Sequence, residues 1–185
     1  AAAQDSGHLA ASIIPLVGID PEGNPIVFDQ DQGIRRGTTM ESLASLQPCF
    51  KKDGVVTAAT SSQTSDGAGF VVLMSAQKAA ELNIQPIARF IGFATAGLDP
   101  AYMGLGPIYA VPKVMDETGL TVDDMDVIEL NEAFAAQSVA VGNDLGFDPE
   151  KLNVNGGAIA LGHPIGASGC RILVSLLYEM ERRDS

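Results

Sequence analysis

The sequence predicts an α/β protein in which helices are layered on a sheet. Two observations carry that reading. Apolar runs of strand length alternate with amphipathic runs of helix length along most of the chain. The helix-length runs also open on capping hydroxyls or stop at glycines.

In order, an Ala-rich helix ends near Gly7 and a strand-like run, Ile13 to Val17, follows. Asp20, Pro21, Gly23, Asn24 and Pro25 then make a turn. Residues 30–37 are polar and place Arg35 beside Arg36. Thr39 is the candidate N-cap of a short helix carrying Leu43 and Leu46 on one face. The continuous apolar run from Gly69 to Met74 predicts a strand buried on both faces. A helix from Ala76 to Leu82, capped by Ser75, follows it. Ala88 to Thr95 alternates as a strand, and Pro107 to Thr118 reads as a helix stopped by Gly119. Val127 to Leu130 is a short strand running straight into a helix, Glu132 to Leu145, that Gly146 closes. Val154 to Leu161 reads as a glycine-interrupted strand. The last helix, Ile165 to Arg183, has Ile172, Leu173, Leu176, Leu177 and Met180 at helical spacing.

Composition narrows the function classes. With 46% hydrophobic and 18% charged residues, the chain can build a core and bury roughly two thirds of its unfolded surface. Its net charge of −12 repels phosphate backbones, so nucleic acid is not an expected partner. An anionic ligand must be held by local basic groups or helix N-termini. The two cysteines, Cys49 and Cys170, have no metal-like spacing, and with His8 and His163 they suggest no metal site. A reducing intracellular compartment is expected, cytoplasmic in a bacterium, with an organelle as the alternative. No run reaches the roughly 18 apolar residues of a membrane span. Ala1 to Ala11 lack the basic start and apolar centre of a signal peptide and read as the middle of a helix. The sequence is therefore expected to be a piece of a longer protein.

Ligands of α/β sheets gather where strands run into helices. At the first such junction, Asn131 either caps the following helix or turns its amide into a pocket to fix a water. At the second, His163 lies between Gly162 and Pro164 ahead of the long helix. The glycine permits close approach and the proline holds the preceding residue extended. Such a ring is either a hydrogen-bonded core histidine or a general base. The surrounding glycines fit neither a P-loop nor a dinucleotide fingerprint.

At these junctions the chain resembles the thiolase family. Residues 131–134 match its NEAF motif, and residues 155–171 match its NGGAIALGHPIGASG signature. Upstream, residues 57–68 (TAATSSQTSDGA) are similar to its TAGNSSQxSDGA segment. The resemblance implies cleavage of a 3-oxoacyl-CoA by CoA, or the reverse condensation, through a cysteine acyl-enzyme. It implies that His163 activates the nucleophile and donates to the thioester oxygen, while Asn131 holds the water that completes the oxyanion hole. Ser62 would contact the pantetheine arm, Ala58 the adenine and Arg35 the nucleotide end of CoA, with Ala133 and Phe134 adding CoA contacts. Coenzyme A would be a substrate, with no permanently bound cofactor, and the complete protein would form a homodimer or homotetramer. The Ser-Ser-Gln-Thr-Ser-Asp stretch looks more like degradative members of broad chain length.

The implied fold is a layered αβαβα sandwich, of which only part is expected here. Residues 1–66 would belong to the CoA-binding loop region and 67–85 to the last strand and helix of the N-terminal half. Residues 86–185 would be the C-terminal half without its final strands. Neither Cys49 nor Cys170 falls at a family catalytic position, so the chain alone is expected to be inactive, and a sheet missing strands is expected to leave it poorly soluble or in need of a complement. The competing expectation is a non-catalytic module, or an accessory subunit, that binds CoA or lipid on the same fold.

Overall fold

A computed structural model describes residues 1–185. Two of its α-helices start on side-chain caps. Helix α1 (Ala2–Asp5) is followed by Gly7 at φ 81°. Strands β1 (Leu16–Ile19) and β2 (Pro25–Phe28) form an antiparallel hairpin with Leu16 opposite Phe28. Asp20 ties its turn, accepting from the Glu22 and Asn24 backbone N–H groups at 3.0 and 2.7 Å. Thr39 caps α2 (Met40–Ala44), and Ser75 caps α3 (Ala76–Glu81) by accepting from the Lys78 N–H. Helices α4 (Gly106–Thr118) and α5 (Ala135–Leu145) both stop at left-handed glycines, Gly119 at φ 71° and Gly146 at φ 68°. Helix α6 (Ala158–Leu161) is one turn, and α7 (Ser168–Arg183) is the longest element.

The strand expectations need correction. Residues 69–74 and 88–95 make no backbone–backbone hydrogen bonds, and the first run is exposed rather than buried on both faces, with Phe70 87% accessible. A strand is a pairing rather than a local shape, and these runs have no neighbour to pair with. Residues 127–130 pair through a single parallel bridge, Ile128 with Leu152. The run 154–161 is not a strand. Asn153 and Gly156 take left-handed backbone, at φ 46° and 96°, and α6 follows. Glu132 stabilises that turn, its Oε2 accepting from the Ile159 N–H at 3.2 Å.

A compact protein of this mass would expose about 8,400 Å²; this chain exposes 12707 Å². It therefore buries about half of its unfolded surface, short of the two thirds expected from its length. The core that does form is small: Val127, Leu130, Val141 and Ala158 are buried where α5, α6 and the 127–130 segment meet.

One side chain extends that meeting. The bridge places Ile128 N–H on the Lys151 carbonyl and Asn153 N–H on the Ile128 carbonyl, both at 2.8 Å. Beyond it the Asn153 amide acts as a further rung, accepting from Leu130 N–H at 2.8 Å and donating to the Leu130 carbonyl at 2.9 Å. The residue after Leu130 is Asn131, so its backbone is delivered from a fixed anchor.

Candidate active site

Helix α5 begins three residues later than the apolar pattern suggests. Phe134 is its N-cap residue, and the Phe134 N–H donates to Gln137 Oε1 at 3.4 Å. Asn131 is thus not the cap, and its amide is free for other work. His163 is brought to it from the other junction. Gly162, at φ 91°, turns the chain where an added Cβ would lie 2.4 Å from Ser65 Oγ. The His163 N–H then donates to the Gln63 carbonyl at 2.7 Å. The two side chains meet, with Asn131 Nδ2 3.4 Å from His163 Nε2. The other ring nitrogen, Nδ1, lies 2.6 Å from the Ser168 hydroxyl.

Both residues line a cavity of about 520 Å³, whose walls include Met103, Val111, Leu130, Ala133 and Ile172. Apolar walls around a few convergent polar groups suit a ligand with a reacting carbonyl. The Asn131 Oδ1 is buried without a partner. Of the other residues singled out in the sequence, Ala133 lines this cavity directly. Ser62 lies behind it, its N–H and hydroxyl both donating to the Ala133 carbonyl at 3.0 Å. Phe134 packs edge-to-face on Phe50 with centroids 6.2 Å apart. Ala58, itself exposed, opens a 3₁₀ turn, Ala58–Thr60. Arg35 is exposed, outside this cavity and without an ion pair, whereas Arg36 holds Asp5 at 2.6 Å. Cys49 is exposed, and Cys170 lines a different hollow with Ser65 and Pro164. No group of three His, Cys, Asp or Glu side chains is placed to hold a metal ion.

Sequence reasoning assigned no role to Glu129, Asn153 or Ser168. Glu129 is two residues before Asn131 in an extended segment, so the two side chains share a face; that spacing was the available signal. Glu129 also lines the cavity. Burial pushes its carboxyl up to about 7, against the pull of Arg171, with Glu132 and Glu179 adding repulsion. Its folded-state pKa lies above the ordinary value of 4.5, so its contribution favours folding below about pH 4.5 and is lost as pH rises towards 7. Glu129→Gln is expected to raise stability at about pH 8 by roughly 1–2 kcal/mol and leave it nearly unchanged at about pH 4. Urea unfolding at the two pH values checks this.

Comparison with known proteins decides the family. The family model described as "Thiolase, N-terminal domain" matches residues 1–77, and "Thiolase, C-terminal domain" matches residues 84–185. The chain belongs to the thiolase family. It is 54% identical over 184 residues to an acetyl-CoA acetyltransferase of Allochromatium vinosum and 53% identical to one of Pseudomonas aeruginosa. Each match takes in 100% of this chain but 47% of the relative, so the chain spans about half the length of these thiolases. Among solved structures, the Bacillus anthracis acetyl-CoA acetyltransferase superposes with a TM-score of 0.95 at 45% identity, covering 99% of this chain and 46% of that one. Human mitochondrial 3-ketoacyl-CoA thiolase in complex with CoA gives 0.89 at 40% identity, covering 100% and 45%. The α/β fold read from the sequence is therefore that of part of a thiolase. No helix is long and apolar enough to cross a membrane.

Proposed function

We propose that this chain supplies the histidine–asparagine half of a thiolase active site, acting on 3-oxoacyl-CoA thioesters with CoA as the second substrate. The observation that carries the reading is the convergence of His163 Nε2 and Asn131 Nδ2 in one largely apolar cavity. A ring nitrogen there can take the proton from an attacking thiol and then, as an N–H, hydrogen-bond the thioester oxygen as negative charge develops. Asn131 adds a donor at the same place, directly or through a water it holds. Ser62, Ala58, Arg35, Ala133 and Phe134 are proposed to line the path of CoA. Ser62 would do so partly by fixing Ala133.

The nucleophile is proposed to come from outside these 185 residues, because neither Cys49 nor Cys170 lines the cavity. The same proposal assigns residues 1–66 to a CoA-binding loop region, 67–85 to the end of the N-terminal half and 86–185 to the C-terminal half. It includes a homodimer or homotetramer of the complete protein in a reducing compartment.

The test is a chimera in which this chain replaces the matching segment of the Allochromatium vinosum acetyl-CoA acetyltransferase. CoA-dependent cleavage of acetoacetyl-CoA by the chimera, and none by the 185-residue chain alone, is the expected pair of results. A folded chimera that binds CoA without turnover would support a non-catalytic module instead.

A further inference from the structure

Ser168 begins α7, is 4% exposed, and has its hydroxyl 2.6 Å from His163 Nδ1 and 3.1 Å from the Pro164 carbonyl. A hydroxyl has one hydrogen to give and two lone pairs, so its two contacts cannot both receive that hydrogen. The carbonyl can only accept. If Ser168 donates to it, as serines in a first helical turn commonly do four residues back, the histidine must supply the hydrogen between Nδ1 and Oγ.

The other end of the ring gives the same answer. Asn131 Nδ2 carries only hydrogens, so its approach to His163 Nε2 is favourable when that nitrogen presents a lone pair. Turning the amide over would put two hydrogens where Oδ1 now lies buried without a partner. Buried donors without acceptors are rarer than under-used acceptor oxygens, so the orientation with Oδ1 unpaired is preferred.

We propose that Ser168 is a positioning residue that accepts a hydrogen bond from His163 Nδ1–H and thereby holds Nε2 as the bare, basic nitrogen facing the cavity. The hydrogens run one way through the chain: Asn131 Nδ2–H to His163 Nε2, Nδ1–H to Ser168 Oγ, and Oγ–H to the Pro164 carbonyl. This inference deepens the thiolase reading and rests on it for its catalytic consequence, though the tautomer itself is independent of turnover.

The experiment is long-range ¹H–¹⁵N correlation of the histidine rings in the ¹⁵N-histidine-labelled chimera. It is run at about pH 9, where an ordinary imidazole is neutral. His163→Gln identifies the signals. The expected result is a protonated-type Nδ1 and a bare Nε2 for His163, shifted toward the opposite tautomer in Ser168→Ala and restored in Ser168→Thr. In the chimera, Ser168→Ala is expected to lower kcat roughly ten- to a hundred-fold with KM little changed, and Ser168→Thr to recover most of it. A His163 ring protonated at Nε2 in the unsubstituted protein overturns the proposal, as does a Ser168→Ala chimera of full kcat. A chimera that never turns over overturns the thiolase reading and leaves the tautomer assignment standing on the ring signals.

Discussion

His163→Ala in the chimera is expected to lower the turnover of acetoacetyl-CoA about ten-thousand-fold, about a hundred-fold for losing a proton carrier multiplied by about a hundred-fold for losing an oxyanion donor. The size follows from the two duties proposed for one ring nitrogen. It would take the proton as the thiol attacks and then, as an N–H, hydrogen-bond the carbonyl oxygen where charge develops. Asn131→Ala is expected to cost about a hundred-fold, because it removes one donor and leaves the base in place. The two losses should combine to less than their product. Each residue is oriented partly through the 3.4 Å contact with the other, so removing one already weakens what the second contributes. Initial rates at saturating CoA for the single and double variants measure all three quantities. A His163→Ala chimera within ten-fold of the parent would remove the histidine from the chemistry.

The second large effect is on stability and comes from Glu179. Its side chain is 1% exposed, yet it is charged. Arg182 Nε at 2.9 Å and Asn155 Nδ2 at 2.8 Å donate to Oε2, and Arg182 and Arg183 both reach Oε1. The Arg182 hydrogen bonds do most to hold the carboxyl down at about 2, helped by Asn155 and Arg183 against the opposing effect of burial. Because the folded-state pKa lies below 4.5, the pairing contributes fully above about pH 4.5 and is lost as pH falls through 2. Glu179→Gln should therefore cost roughly 2–3 kcal/mol at neutral pH, with some of the raw value lost to solvent around the part-exposed arginines. The cost should fade toward pH 2. Urea unfolding of the chimera at stepped pH reads it directly. The contrast with Glu129 is instructive: the same exchange, at two glutamates buried within one half of the chain, is expected to move stability in opposite directions. Geometry, rather than residue type, sets the sign.

Much of the local structure was legible because it is written in short-range chemistry. Thr39 and Ser75 cap the helices they precede, and Gly119 and Gly146 end theirs in left-handed backbone. The strands at 69–74 and 88–95 were not legible in the same way, since an apolar run says what a segment prefers and nothing of whether a neighbour is there to pair with it. At 154–161 the glycines and alanines suggested a strand. The deciding contacts came instead from Glu132, more than twenty residues upstream, which accepts the Ile159 N–H and leaves Gly157 no room for a side chain.

The candidate site divides along the same line. Motif and setting singled out His163 and Asn131, and the structure brings them together. Ser168 and Asn153 went unassigned because their roles depend on which atoms they face across the fold. A serine at a helix start and an asparagine in a turn look ordinary until those partners are known.

The unpaired stretches 67–74 and 86–98 have a consequence for how the 185-residue chain behaves as it accumulates. Each carries free backbone donors and acceptors beside outward-facing Phe70, Val72, Phe90 or Phe93. Such a stretch is a template for pairing with another copy of the same chain. Such self-association involves two or more copies, so it quickens as the concentration of the chain rises. Slow accumulation therefore favours the dispersed chain, and rapid accumulation favours precipitate.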